Sequence, residues 1–247
     1  MSGSEARGLS FGTVAETYER GRPDWPPEVL DVVPVPPNRE VLDLAAGTGR
    51  LTRLLATQHR VIAVEPDDAM RALIVGAQAL PGTAEAVPLG GSSVDAVFVG
   101  EAFHWFDGER AVAEIARVLR PHGVLAILFQ VDSELEPPLS NEARTFLRST
   151  GERFGPTGGP RVASGEWRTP FPGPFEDLRQ VEIEHASDYD RERVIALCTS
   201  MSNIALQPAE VRRAFASDLA ALVPEGPRTL IQRVAVHWTR LRERDHA

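Results

Sequence analysis

From Glu40 to Phe129 the chain alternates short apolar runs with amphipathic ones, and this limits the fold more than any other feature. Glu40 to Ala45 is a β-prone run leading into Gly47 and Gly49. Arg50 to Thr57 has helical spacing, Arg60 to Glu65 carries VIAVE, Asp67 to Ala77 reads as helix, and Ala79 to Thr83 as a weak third strand. Val94 to Val99 and the fully apolar Gly123 to Phe129 are further strands. Between them lies a helix, Asp107 to Leu119, with Ala111, Ile115, Val118 and Leu119 on its apolar face. Strands that alternate with helices need crossover connections. The expected class is therefore α/β, a Rossmann-like doubly wound sheet, mostly parallel, with ligands at the carboxyl ends of the strands.

The flanks are less regular. Residues 1–38 form an N-terminal cap segment: a polar tail, a short helical stretch from Gly12 to Glu19, and RPDWPPEVLDVVPVPPN. Its prolines forbid one continuous helix, although Pro26 and Pro27 can open a short one through Glu28 to Val32. Residues 131–174 combine a helix from Pro138 to Arg153 with the loops GPTGGP and TPFPGP, a helical and loop-rich insertion after the fifth strand that reads as a lid. Leu178 to His185 and Arg228 to Arg240 are late strands, with helices at Asp190 to Thr199 and Pro208 to Leu222 between them. They lack the earlier crossover pattern and are expected to form an antiparallel edge. A single domain over 1–247 accommodates all of this.

Composition narrows the chemistry. At 247 residues and 43% hydrophobic, the chain can bury a core without staples. Cys198 is its one cysteine, set in the apolar run VIALC, so no internal disulfide exists and a buried inert thiol is expected, as suits a reducing compartment. MSGSEARGLS lacks a signal peptide's basic end and apolar stretch, and no apolar run nears the ~18 residues needed to span a bilayer. The reading is a cytoplasmic protein, monomer or homodimer, with no membrane partner. Every basic residue is arginine, which removes Schiff-base and P-loop lysine chemistry. A formal net charge of −9 opposes phosphate backbones, so nucleic acid is disfavoured and a small molecule favoured.

VLDLAAGTGRLT carries the first chemical signal. Gly47 and Gly49 lie in a strand-to-helix turn, where backbone N–H groups can approach a ligand. The dinucleotide fingerprint G-x-G-x-x-G would need a third glycine where Thr52 stands. Asp43, just ahead of the loop, would repel a pyrophosphate but suits an ammonium or sulfonium. Glu65 closes the second strand, where a carboxylate can accept hydrogen bonds from both hydroxyls of a ribose. Its alternative is an ordinary solvated strand end.

VLDLAAGTGRLT, VIAVEPDDAM, GTAEAVPLGGSSVDAVFVGEAFHW and ARVLRPHGVLAIL together resemble, in order and spacing, the motifs of class I S-adenosylmethionine-dependent methyltransferases acting on small molecules. The resemblance covers about Phe11 to Phe129. It implies S-adenosylmethionine as cofactor, with Asp43, Ala45 and Gly47 around its methionine end, Gly49 in the tight turn and Glu65 on the ribose. It further implies Pro66 and Asp67 near the adenine, Ala84 and Glu85 at the adenine edge, and Gly100 and Glu101 beside the transferable methyl. The opening FGTVAETYERGRPDWP resembles the segment that folds over the cofactor in that subfamily, making Tyr18 and Arg22 candidates, with Arg22 suited to the cofactor carboxylate. The family's first loop glycine is Ala45 here, which a negative φ would accommodate. An NAD-dependent oxidoreductase and a non-catalytic S-adenosylmethionine-binding sensor or partner protein remain as alternatives.

GEAFHWFD follows the fourth strand and raises His104 as a catalytic candidate. Its imidazole can be a general base, a pocket wall or a core residue steadying the loop. Trp105 and Phe106 are read as pocket wall, with Trp105 equally readable as a core anchor. His59, His122, His185, His237 and His246 show no metal-ligand spacing, so no metal is expected.

Overall fold

The computed structural model describes residues 15–155, 165–168 and 173–243. GPTGGP and TPFPGP, His246 and the first turn of the expected N-terminal helix lie wholly or mostly outside them.

The expected sheet forms, with seven strands: β1 Glu40–Leu44, β2 Arg60–Val64, β3 Gln78–Leu80, β4 Val94–Gly100, β5 Leu119–Glu136, β6 Arg179–Tyr189 and β7 Arg228–Arg240, in the order β3-β2-β1-β4-β5-β7-β6. β1, β2, β3, β4 and β5 pair in parallel, while β7 joins β5 and β6 antiparallel, so the late strands do make an antiparallel edge. The order reverses between β1 and β4, and the crevice at their carboxyl ends is where such sheets bind ligands.

Helices cover both faces. α1 Ala15–Gly21 and α2 Val29–Val32 belong to the cap; α3 Arg50–Leu55, α4 Asp68–Arg71 and α5 Gly108–Val118 are the crossovers; α6 Asn141–Phe154, α7 Arg191–Thr199, α8 Ser202–Ala205 and α9 Ala209–Leu222 form a satellite layer. One core packs α5 through Val112 and Ile115 on Val97, Val99, Ile127 and Phe129. The opposite core sets Val29, Leu51 and Leu55 against Phe98, Leu128 and Val236. A third joins α7 and α9 through Leu197, Cys198, Phe215 and Leu219, so Cys198 is the buried thiol its sequence suggests, its pKa pushed by burial to about 12.

Three expectations need correction. The helix read over Asp67 to Ala77 stops at Arg71: Ile74 leaves it to pack on the Gly49 turn, and Gly76 takes φ +80. Local periodicity loses there to a tertiary contact. The third strand occupies Gln78–Leu80 instead of Ala79 to Thr83. Residues 131–136 are not part of the insertion, because β5 continues through them against β7, from Asp132–Arg233 to Glu136–Thr229. Arg120 to Gly123 form a bulge, since pairing skips from Val94–Leu119 to Ala96–Val124.

Candidate active site

The loop after β1 is built from left-handed residues. Ala45 has φ 58, Gly47 φ 58 and Gly49 φ 81. The negative φ expected for Ala45 is thus overturned: the position keeps the conformation a glycine would take, at a cost of ~1–2 kcal/mol for its Cβ. A Cβ on Gly47 would meet no protein atom within 4 Å, so the loop's backbone faces open space. Glu65 holds this loop to β2. Its Oε2 accepts Gly47 N–H at 2.8 Å and its Oε1 accepts Asp67 N–H at 2.9 Å. Each carboxylate oxygen retains acceptor capacity for a hydroxyl. Asp67 caps α4 by accepting from Ala69 and Met70 N–H, with Pro66 half-buried before it.

Three carboxylates converge on the carboxyl ends of β1, β2 and β4. Asp43 is 1% exposed and accepts Thr52 Oγ1–H at 2.6 Å; burial drives its pKa up to about 7, against the pull of Thr52 and with a push from Glu65. Glu65 is also raised by burial, opposed by its two backbone donors. Glu101, at φ 55 just beyond β4, accepts Gln130 N–H. Burial raises it too, opposed by that bond and by Arg22.

The cap lies over this end of the sheet. Trp25 packs on Gly100, where an added Cβ would sit 2.7 Å from its ring. Tyr18, Arg22, Trp25, Arg50, Glu101 and Gln130 surround a cavity of about 40 Å³. The Arg22 guanidinium lies 5.0 Å from the Tyr18 ring centre and donates to Ser200 O at 3.2 Å, while its buried Nε has no partner. Arg50, which the sequence reading passed over, bonds the cap at Pro23 O, Glu19 O and Asp24 Oδ1. Its place directly after Gly49 was the available signal. Ala84 is buried, and Glu85 accepts Asp107 N–H at 3.0 Å at the start of α5.

His104 sits elsewhere. It lies in the 3₁₀ turn Phe103–Trp105, 6% exposed, with its ring 4.6 Å from Trp105 and 5.9 Å from Phe129. Phe129 in turn packs on Trp167 of the insertion, 5.0 Å away, and Trp167 on His237. Burial lowers the His104 pKa to about 4, and its Nδ1 lacks a partner. It does not line the cavity around Arg22 and Glu101. Among the described residues no group of His, Cys, Asp and Glu is placed to hold a metal.

A doubly wound sheet with a glycine turn after β1 and an acid ending β2 defines a class of nucleotide-type binding enzymes. Which class follows from the relatives. A family profile described as "Methyltransferase domain" matches residues 42–127. The chain is 40% identical over 209 residues to an uncharacterized methyltransferase of Mycobacterium tuberculosis, covering 83% of this chain and 81% of that one. It is 32% identical over 232 residues to one of Schizosaccharomyces pombe, 90% of each. A solved structure from Anaeromyxobacter dehalogenans, described as a type II methyltransferase, superposes with a TM-score of 0.68 at 25% identity, covering 90% of this chain and 99% of that one. The chain belongs to the class I S-adenosylmethionine-dependent methyltransferases and transfers methyl groups from that cofactor. The oxidoreductase and non-catalytic alternatives fall away. No helix among the described residues is long and apolar enough to cross a membrane.

Proposed function

We propose that the methyl group goes to a small-molecule acceptor whose reacting group enters the cavity under the cap. The observation that carries this is the enclosure: Tyr18, Arg22 and Trp25 close over Gly100 and Glu101, leaving about 40 Å³. A cavity of that size admits a small polar reacting group.

The residues fit the cofactor. The open face of Gly47 and the spare acceptor capacity of Glu65 suit a ribose held against the loop, with Gly49 and Ala45 shaping the turn. Pro66, Asp67, Ala84 and Glu85 border the adenine side. Arg22, with its unpaired Nε, takes the carboxylate, and Tyr18 flanks it. Asp43 and Glu101 supply negative charge at the methionine end, beside Gly100. When bound, the cofactor would supply an electrophilic methyl group on a sulfonium. The chain's own work is alignment and exclusion of water, and positioning of this kind is worth ~7–11 kcal/mol.

His104 is assigned to the core, where it steadies the loop after β4, in place of the base or the pocket wall. A neutral imidazole with a pKa near 4, lodged among Trp105 and Phe129, is a weak proton acceptor and does not reach the cavity lining. The insertion read as a lid sets its Trp167 against Phe129, which is the contact that supports that role. The large exposed apolar side chains among the described residues are Val75, Val131, Val181 and Leu206, which leaves a monomer and a homodimer both open, and the buried thiol of Cys198 suits the cytoplasm.

Labelled S-adenosylmethionine offered with panels of small amines, phenols and carboxylic acids, and separately with proteins and RNA, tests this. Turnover with small acceptors is expected. Turnover confined to the polymers refutes the reading.

A further inference from the structure

We propose that Arg50 is a positioning residue that ties the cofactor loop to the cap, so that the cofactor site and the acceptor cavity take shape together. This rests on reading Ala45 to Gly49 as the cofactor loop.

Arg50 opens α3, directly after Gly49, and α3 has no acidic residue in its first turn. A cation at a helix N-terminus opposes the helix dipole, so local preference does not account for it. Its tertiary contacts do. The side chain is 10% exposed, and its guanidinium donates from Nε to Pro23 O at 3.0 Å, and from its two terminal nitrogens to Glu19 O at 2.6 Å and Asp24 Oδ1 at 2.6 Å. Only a planar fork reaches three acceptors spread across the cap in this way. One turn later Arg53 repeats the link in the other direction, bonding Glu19 Oε1 at 2.5 Å and Thr48 O, within the glycine loop, at 3.3 Å.

The acceptors bracket the residues that face the cavity. Glu19 adjoins Tyr18, Pro23 follows Arg22, and Asp24 precedes Trp25, which covers Gly100. Arg50 itself lines the same cavity as Tyr18, Arg22 and Glu101. A displacement of the loop that accompanies loading of the cofactor therefore pulls on both walls of the acceptor cavity. A simple staple would hold the cap equally well with or without ligand; a coupler makes cap order depend on the ligand.

Amide hydrogen exchange over residues 15–25 of the full chain separates the two, measured with and without S-adenosylhomocysteine at a concentration saturating for each variant by calorimetry. In the wild type, ligand slows exchange across this segment. Arg50→Gln still binds the ligand but loses that response, and Arg50→Lys restores part of it. Asp24→Ala, which removes one exposed acceptor and leaves Arg50 in place, weakens the response and serves if Arg50→Gln does not fold. A wild-type response retained in both Arg50→Gln and Asp24→Ala overturns the coupling, as does a wild-type cap indifferent to a ligand that binds. A wild type that binds no S-adenosylhomocysteine overturns the loop reading as well.

Discussion

Thr52 Oγ1 donates a 2.6 Å hydrogen bond to the buried carboxylate of Asp43, joining the first turn of α3 to β1. Thr52 stands where a dinucleotide fingerprint would have its third glycine, and the structure makes it the group that tempers Asp43. Burial raises Asp43 to about 7 and the Thr52 bond opposes that rise. A sulfonium or ammonium beside Asp43 favours its carboxylate form. Cofactor affinity should therefore strengthen as pH rises through about 7, with protons released on binding. Thr52→Val should move the midpoint upward and Asp43→Asn should flatten the profile. Calorimetry in two buffers of different ionisation heat checks both, and a downward shift in Thr52→Val would contradict the assignment.

Glu65→Ala should weaken S-adenosylhomocysteine binding by ~1.5–3 kcal/mol, the scale of hydrogen bonds to an ionised acceptor. The loss has two sources, the ribose and the freed N–H groups of Gly47 and Asp67. Adenosine affinity, measured in parallel, should fall with it. Unchanged affinity for both would remove Glu65 from the site.

Ala45→Gly should stabilise the protein, within about 1 kcal/mol. Relief of the left-handed Cβ, worth ~1–2 kcal/mol, is partly offset by the greater entropy of glycine in the unfolded chain. Chemical denaturation at neutral pH measures it, and a clear loss of stability would argue against φ 58 at this position.

His104 and His237 are buried with pKa values lowered to about 4 from 6.5, His104 by desolvation and His237 by desolvation and then Arg168. Because their folded values lie below the unfolded one, their effect runs one way. Stability is full above 6.5 and falls as pH drops toward 4, by up to roughly 3 kcal/mol for each. Asp43, raised in the fold, acts oppositely, its stabilising contribution being lost as pH climbs from about 4 through 7. His104→Phe should reduce the acid loss while leaving cofactor affinity intact. If instead turnover collapses at constant affinity and stability, His104 is the base after all.

The sheet was legible because its evidence is local: apolar runs with strand periodicity, glycines at the β1–α3 turn, and a change of connection type before β6. The candidate cofactor residues were legible for a related reason, since Asp43, Gly47, Gly49 and Glu65 fall at strand ends that any doubly wound sheet brings together. Tertiary structure decided the rest. Whether Asp67 to Ala77 stays helical depends on Ile74 finding Gly49, and where β5 ends depends on β7, more than ninety residues later. GEAFHWFD does not reveal that Glu101 turns toward Arg22 while His104 turns into the Phe129–Trp167 cluster. Nor does AGTGR disclose that its last residue spans to Glu19, Pro23 and Asp24. Periodicity records which face a residue prefers. Burial, pKa and long-range hydrogen bonds depend on what is packed against that face, and only the assembled chain supplies it.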